Sequence, residues 1–222
     1  MIREAVEKSE VIIFDCDGVL MDSNRVKEDA FVKITRQHFG QEAAEFMREF
    51  HRKNGGLSRG IKFQAVIDNH APDQSHMLED LCQQFEQISL ERVINCKLAE
   101  DCERVLAALK SQKKRLMVLS GAPSDKLWNV INQRMLSSYF DLLMGSPKTK
   151  IQHLIDLHNA GSLKRGLDFV FIGDSQTDLD TSKVFGNCHF FWSEEFAEGH
   201  PNVDRSVAAI RRLAELLGEG FE

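Results

Sequence analysis

Residues 11–20 read Val11-Ile12-Ile13-Phe14-Asp15-Cys16-Asp17-Gly18-Val19-Leu20. A run of four apolar residues, rich in β-branched and aromatic types, is the pattern of a short strand buried on both faces. Two carboxylates one residue apart and a glycine end that run. Open parallel sheets bind their ligands at the carboxyl ends of strands, so this is where chemistry is expected. A lone Asp-x-Asp is more often a solvated turn or a helix cap. The weight therefore falls on what the other strand ends carry.

Four further apolar runs follow: Leu116 to Leu119, Leu142 to Met144, Phe169 to Ile172 and His189 to Phe191. Between them lie segments of helical period, with Val105, Leu106 and Leu109, then Leu154, Ile155 and Leu157, and Ile210, Leu213 and Leu217 near the C-terminus. This alternation predicts an α/β fold, a Rossmann-like doubly wound parallel sheet. About a hundred residues separate Phe14 from Leu116, far too many for one crossover. Ser23 to Cys96 reads as helical throughout, with apolar positions at Val26, Ala30, Phe31 and Ile34, at Phe46 and Phe50, at Ile61, Ala65 and Ile67, and at Leu78, Leu81 and Phe85. The expected organisation is a core of residues 1–22 and 97–222 carrying an inserted helical cap domain of residues 23–96, with Asn54-Gly55-Gly56 as a turn inside it.

The strand ends do carry polar groups. Leu119 leads into Ser120-Gly121, and Ile172 leads into Gly173-Asp174-Ser175-Gln176-Thr177-Asp178. Taken with DCDGVLMDS over Asp15 to Ser23 and with a lysine in Ser146-Pro147-Lys148-Thr149-Lys150, these residues resemble the four signature motifs, in order, of the haloacid dehalogenase-like superfamily, in its phosphatase and phosphomutase branch of phosphoglycolate phosphatases and β-phosphoglucomutases. The resemblance implies that Asp15 is a nucleophile forming an aspartyl-phosphate, and Asp17 a general acid and base. It implies Mg2+ held by Asp15, Asp17 through its backbone carbonyl, and Asp174, with Asp178 reaching the metal through water or orienting its neighbours. Dehalogenases of the superfamily lack an acid at the position of Asp17, which favours a phosphatase.

Ser120 and the Gly121 amide would bind the transferring phosphoryl oxygens, the alternative for Ser120 being a helix cap. The motif lysine is Lys150 or Lys148. Lys150 is preferred because many members of the superfamily it resembles place this lysine at a helix start with apolar residues four and seven positions on, and Leu154 and Leu157 follow Lys150 in that register. In the cap, His51 to Phe63 concentrates Asn54, Arg59 and Lys62 around flexible glycines. That segment either recognises a carboxylate or polyol, as in a sugar phosphate, or is an exposed turn with Ser58 as N-cap. Arg25 and Lys27 face the site or lie on a solvated helix. Cys16 should point into the core.

Composition limits the alternatives. The chain has 222 residues and a formal net charge of −6, with a pI near 5.8, so nucleic acid and anionic membranes are not expected partners. No long apolar stretch suggests a signal peptide or a membrane span, and five scattered cysteines without a CxxC pair fit a reducing, cytoplasmic setting. The expectation is a phosphatase acting on a small phosphorylated metabolite, its rivals being a phosphomutase and a catalytically silent binding protein on the same fold. Neither the substrate nor the oligomeric state is legible.

Overall fold

The computed structural model describes residues 1–164, 166–196 and 206–219. After a short helix α1 (Ile2–Lys8) come β1 (Val11–Phe14), three helices α2 (Asn24–Lys53), α3 (Arg59–His70) and α4 (Leu78–Ile94), and then α5 (Cys102–Ser111). The remainder alternates: β2 (Arg115–Pro123), α6 (Ser124–Gln133), β3 (Leu142–Ser146), α7 (Lys150–Asn159), β4 (Phe169–Gly173), α8 (Gln176–Ser182), β5 (Cys188–Ser193) and β6 (Ala209–Ile210). All six strands are parallel, in the order β3-β2-β1-β4-β5-β6. The order reverses at β1, between β2 and β4, so Asp15 emerges at the switch point where such sheets open a crevice.

β1 lies at the centre and is buried along its whole length. Strand alternation sends Ile12 and Phe14 to one face, where they join Leu106, Leu109, Leu127 and Ile131. Val11 and Ile13 face the other layer with Leu154 and Leu157 of α7. Burying each of these side chains contributes about 1.5–3 kcal/mol, so the strand that carries the two aspartates is among the best-anchored parts of the sheet.

Helices α2, α3 and α4 have a core of their own, built from Phe31, Ile34, Met47, Phe63, Val66 and Leu81 among others. Phe31 stacks on Phe85 with ring centroids 4.1 Å apart. α2 is broken at Gly40, whose φ of 84° and ψ of −173° lie outside the helix, and a 3-10 turn over Pro72–Met77 joins α3 to α4.

All five expected strands form. The expected C-terminal helix does not. Ala209 and Ile210 instead pair with Trp192 and Ser193 as β6, and a 3-10 turn over Leu213–Leu217 follows. The open edge of β5 offers backbone partners to this segment, and those bonds override its helical period. Ile61 is 48% exposed, and α3 packs through Phe63, Val66 and Ile67 instead. Ile155 likewise faces solvent, 41% exposed. Among the described residues no helix is long and apolar enough to cross a membrane.

Candidate active site

The carboxyl ends of β1, β2 and β4 and the N-termini of α7 and α8 converge on one buried cluster. Asp15, directly after β1, accepts a hydrogen bond on Oδ1 from the Cys16 amide at 2.7 Å. The same oxygen lies 3.0 Å from Lys150 Nζ. Lys150 is the first residue of α7, which Thr149 and Gln152 start with a capping box. Its ammonium also donates to Asp178 Oδ1. The other oxygen of Asp178 takes the Ser175 amide and hydroxyl, so that residue caps α8 and holds Lys150 at once. Lys148, by contrast, is exposed and pairs with Asp156 at 2.7 Å.

Asp174, after β4, accepts from Asn24 Nδ2 at 2.7 Å. Asp15, Asp174 and Asp178 are all buried and offer oxygens within 4.8 Å of one another. Burial pushes the Asp15 carboxyl up to about 7 despite Lys150 beside it, and pushes Asp174 well above the usual carboxylate range, with the charges of Asp15 and Asp178 adding to the rise. Lys150 is raised above its ordinary value: burial works against the ammonium, but Asp15 and Asp178 outweigh it.

Asp17 differs. Burial alone would raise it, but Lys27 Nζ at 2.6 Å and the Ser23 hydroxyl, both on Oδ1, hold its carboxyl below the ordinary value. Of the two candidate cations after the first motif, Lys27 thus reaches the site. Arg25 is exposed and does not line the cavity. Cys16 Sγ belongs to the core, as its place on the strand predicts.

Ser120 is buried and accepts from the Ala122 amide at 3.1 Å. It does not cap a helix, since α6 begins only at Ser124. Gly121 touches the insert: a Cβ there would lie 2.1 Å from the Gly56 carbonyl oxygen, so any side chain would drive the two apart. Gly56 itself has φ of 81°, a left-handed conformation open to glycine, and a Cβ on it would stand 3.5 Å from Lys150 Nζ. The Gly55-Gly56 turn therefore lies directly on the Asp15–Lys150 cluster.

Beside the cluster, between the strand ends and the insert, is a cavity of about 100 Å³. Phe31, Phe85, Leu90, Val93, Leu127 and Val130 give it an apolar wall. Arg59 and Lys62 line it as expected. Arg59 meets Glu86 at 3.2 Å, and Lys126 of α6 also binds Glu86, tying insert to core. Lys62 is 3% exposed, with Nζ 2.8 Å from His51 Nδ1 and 5.5 Å from the Phe31 ring centre. Burial pushes its amine down to about 7, and the Lys27 charge adds to the fall. Asn54 is a correction: it lies outside the cavity as the C-cap of α2, and both its side-chain amide, at 2.9 Å, and its backbone N–H donate to the Phe50 carbonyl. Ser58 does take the N-cap place of α3, without a capping bond from its side chain.

The sequence reading passed over Asn24, Ser175 and His51. Ser175-x-x-Asp178 is a legible capping box. The bond from Asn24 to Asp174 spans 150 residues and needs the fold.

A doubly wound sheet with buried carboxylates and a lysine at its switch point, roofed by a helical insert, is the frame of an α/β enzyme that handles an anionic group. The family model for haloacid dehalogenase-like hydrolases matches residues 12–190. The chain belongs to that family. It is 23% identical, over 81% of this chain and 82% of the relative, to a phosphoglycolate phosphatase of Colwellia psychrerythraea. Its fold is similar to the crystal structure of a predicted phosphoglycolate phosphatase from Haemophilus somnus, with a TM-score of 0.74 at 18% identity, covering 95% of this chain and 97% of that one. It is also similar to that of a predicted phosphatase from Clostridium acetobutylicum, with a TM-score of 0.71 at 18% identity and the same coverage.

Proposed function

We propose that this hydrolase is a phosphatase that cleaves the phosphate monoester of a small metabolite through an aspartyl-phosphate on Asp15. The observation that carries the reading is the Asp15–Lys150–Asp178 array: a carboxylate at a strand end, steadied by one backbone amide and one ammonium. A carboxylate oxygen of Asp15 attacks phosphorus as the ester P–O bond breaks, and Lys150 offsets the charge gathered there. Asp17 gives its proton to the leaving oxygen, then takes one from the water that attacks the acyl phosphate, which restores Asp15 and frees phosphate. Lys27 favours the ionised form of Asp17, so the acid role requires Lys27 to turn toward the arriving phosphoryl group. Ser120 and the Gly121 amide hold phosphoryl oxygens, and Asp178 orients Lys150.

Three buried carboxylates stand against one ammonium in this cluster, an imbalance that a hard divalent cation fits. Asp15 and Asp174, with the Asp17 carbonyl, would hold Mg2+, which when bound neutralises phosphoryl charge. Residues 23–96 act as a cap on a core of 1–22 and 97–222, and Arg59 and Lys62 belong to the leaving-group side.

The test is phosphate release from a panel of phosphate esters, with and without Mg2+, by wild type and Asp15→Asn. Release that needs both supports the reading; substitution at Asp15 lowers it at least about a thousandfold. Equal rates for the two proteins, or full activity in excess chelator, would sink the nucleophile or the metal assignment. An isomerised ester in place of free phosphate would turn the reading to a phosphomutase.

A further inference from the structure

The three carboxylates that could hold a cation are not held alike. Asp15 has the Cys16 amide and Lys150 Nζ, and Asp178 has Lys150 Nζ with the Ser175 amide and hydroxyl. Asp174 makes no ion pair among the described residues. Its side chain has one donor there, Asn24 Nδ2, which lies 2.7 Å from Oδ2. An ionised carboxylate only accepts, so the amide turns its nitrogen, not its oxygen, toward Asp174.

The backbone leaves room for this bond. Gly18 has a φ of 75°, and a Cβ on it would overlap both Asp174 Oδ2 and Asn24 Nδ2. The pair therefore lies across the bare Cα of Gly18, where a side chain would displace it. Asn24 is the first residue of α2, and Ser23 before it donates its hydroxyl to Asp17. The start of the insert thus touches the carboxylates that follow β1 and β4 at once.

The type of residue matters as well as its place. A lysine or arginine at this position would steady Asp174 but would also cancel the charge that draws a cation. A neutral amide restrains the carboxylate and leaves that charge in place. Without it, Asp174 could turn about its terminal torsion, away from the repulsion of Asp15 and Asp178 beside it.

We propose that Asn24 is a positioning residue for the metal: it holds Asp174 by Oδ2 and so keeps a ligand carboxylate in place for Mg2+, which makes cation affinity depend on a side chain of the insert. The inference rests on the reading of Asp15, Asp174 and the Asp17 carbonyl as the Mg2+ site, and deepens it by a residue outside that ligand set.

Calorimetric titration of the full chain with Mg2+, without substrate, tests it. Asp174→Asn is the reference and should lose most of the binding. Asn24→Leu, close in size but without a donor, should raise the Kd for Mg2+ at least about tenfold. Asn24→Ala should do the same, and serves if the leucine variant fails to fold. Asn24→Gln keeps the amide on a longer arm and should bind Mg2+ more tightly than Asn24→Leu. In steady-state assays the deficit of Asn24→Leu in kcat/KM should shrink as Mg2+ is raised, because excess cation refills the weakened site.

A Kd within about twofold of wild type in both Asn24→Leu and Asn24→Ala, even with a lower Tm, would overturn the proposal and leave Asn24 a purely structural residue. An equal loss in Asn24→Gln would assign the effect to packing at the start of α2, and a raised KM at unchanged Kd would put Asn24 on the substrate; either also overturns it. If wild type binds no Mg2+, or Asp174→Asn binds it as wild type does, the metal assignment itself fails and the proposal goes with it. Titration needs no turnover, so the binding constants decide the proposal even if no ester releases phosphate and the phosphatase reading fails.

Discussion

Replacing Lys62 by methionine should make the protein more stable at neutral pH, although the change removes two contacts. The amine is 3% exposed and is held at about 7 against an ordinary 10.5. Holding it there costs on the order of 4 kcal/mol at pH 7. Against this stand the lost bond to His51, about 1 kcal/mol, and the lost cation–π contact with Phe31, about 1 kcal/mol. Methionine fills a similar volume without a charge. The net expectation is a gain of about 2 kcal/mol, or about 4–8 °C in Tm for a chain of this size.

The pH dependence carries the sharper test. The folded-state pKa is depressed, so the penalty is fully present below about pH 7 and fades as pH rises to 10.5, above which the amine is mostly neutral in both folded and unfolded chains. Groups that face it also contribute: Lys27 and Lys150 depress it further, whereas Asp17 and Asp174 oppose them, with His51 in direct contact. Calorimetric unfolding of wild type and Lys62→Met from pH 6.5 to pH 10 should show the variant ahead at the acid end and the gap closing at the basic end. A variant less stable at pH 7, or a gap that does not change with pH, would refute the reasoning.

Gly121→Ala places a methyl group against the Gly56 carbonyl and should separate insert from core, raising KM for small phosphate esters and costing about 1–3 kcal/mol of stability; unchanged KM and Tm would show that the turn moves aside freely. Lys150→Met should lose at least about a hundredfold in kcat, whereas Lys148→Met, on the exposed pair with Asp156, should stay within about twofold; the reverse order in steady-state assays would reassign the motif lysine. Glu86→Gln weakens the links to Arg59 and Lys126, and limited proteolysis of the insert should speed up by a few-fold. An unchanged digestion rate would mean that these ion pairs do not hold the insert in place.

The fold was legible where burial was continuous. Val11–Phe14 and Phe169–Gly173 are buried on both faces, so composition alone marks them. Ile210, Leu213 and Leu217 misled because a two-residue edge strand is too short to show alternation, and their spacing then imitates a helix. In the insert, the break at Gly40 and the choice of Phe63 over Ile61 depend on how three helices pack, which no local window contains. The site divides in the same way. Asp15, Asp17, Asp174 and Asp178 sit beside the strand ends that announce them. The preference for Lys150 over Lys148 came from the register that the resembled superfamily gives its lysine, and in the structure Lys150 turns inward while Lys148 is exposed. The pairing of Lys62 with His51, and the apolar wall beside it, come from α2, α3, α4 and α6 together and have no signature in the chain.

The meeting of Gly56 with Gly121 bears on tempo. Two residues without side chains form the seam directly over the Asp15–Lys150 cluster, so no rotamer change is needed at these two positions for the seam to part. On the phosphatase reading, a seam of two glycines over the cluster would part by movement of the backbone alone, so the kcat and KM of Gly121→Ala report whether that movement gates turnover.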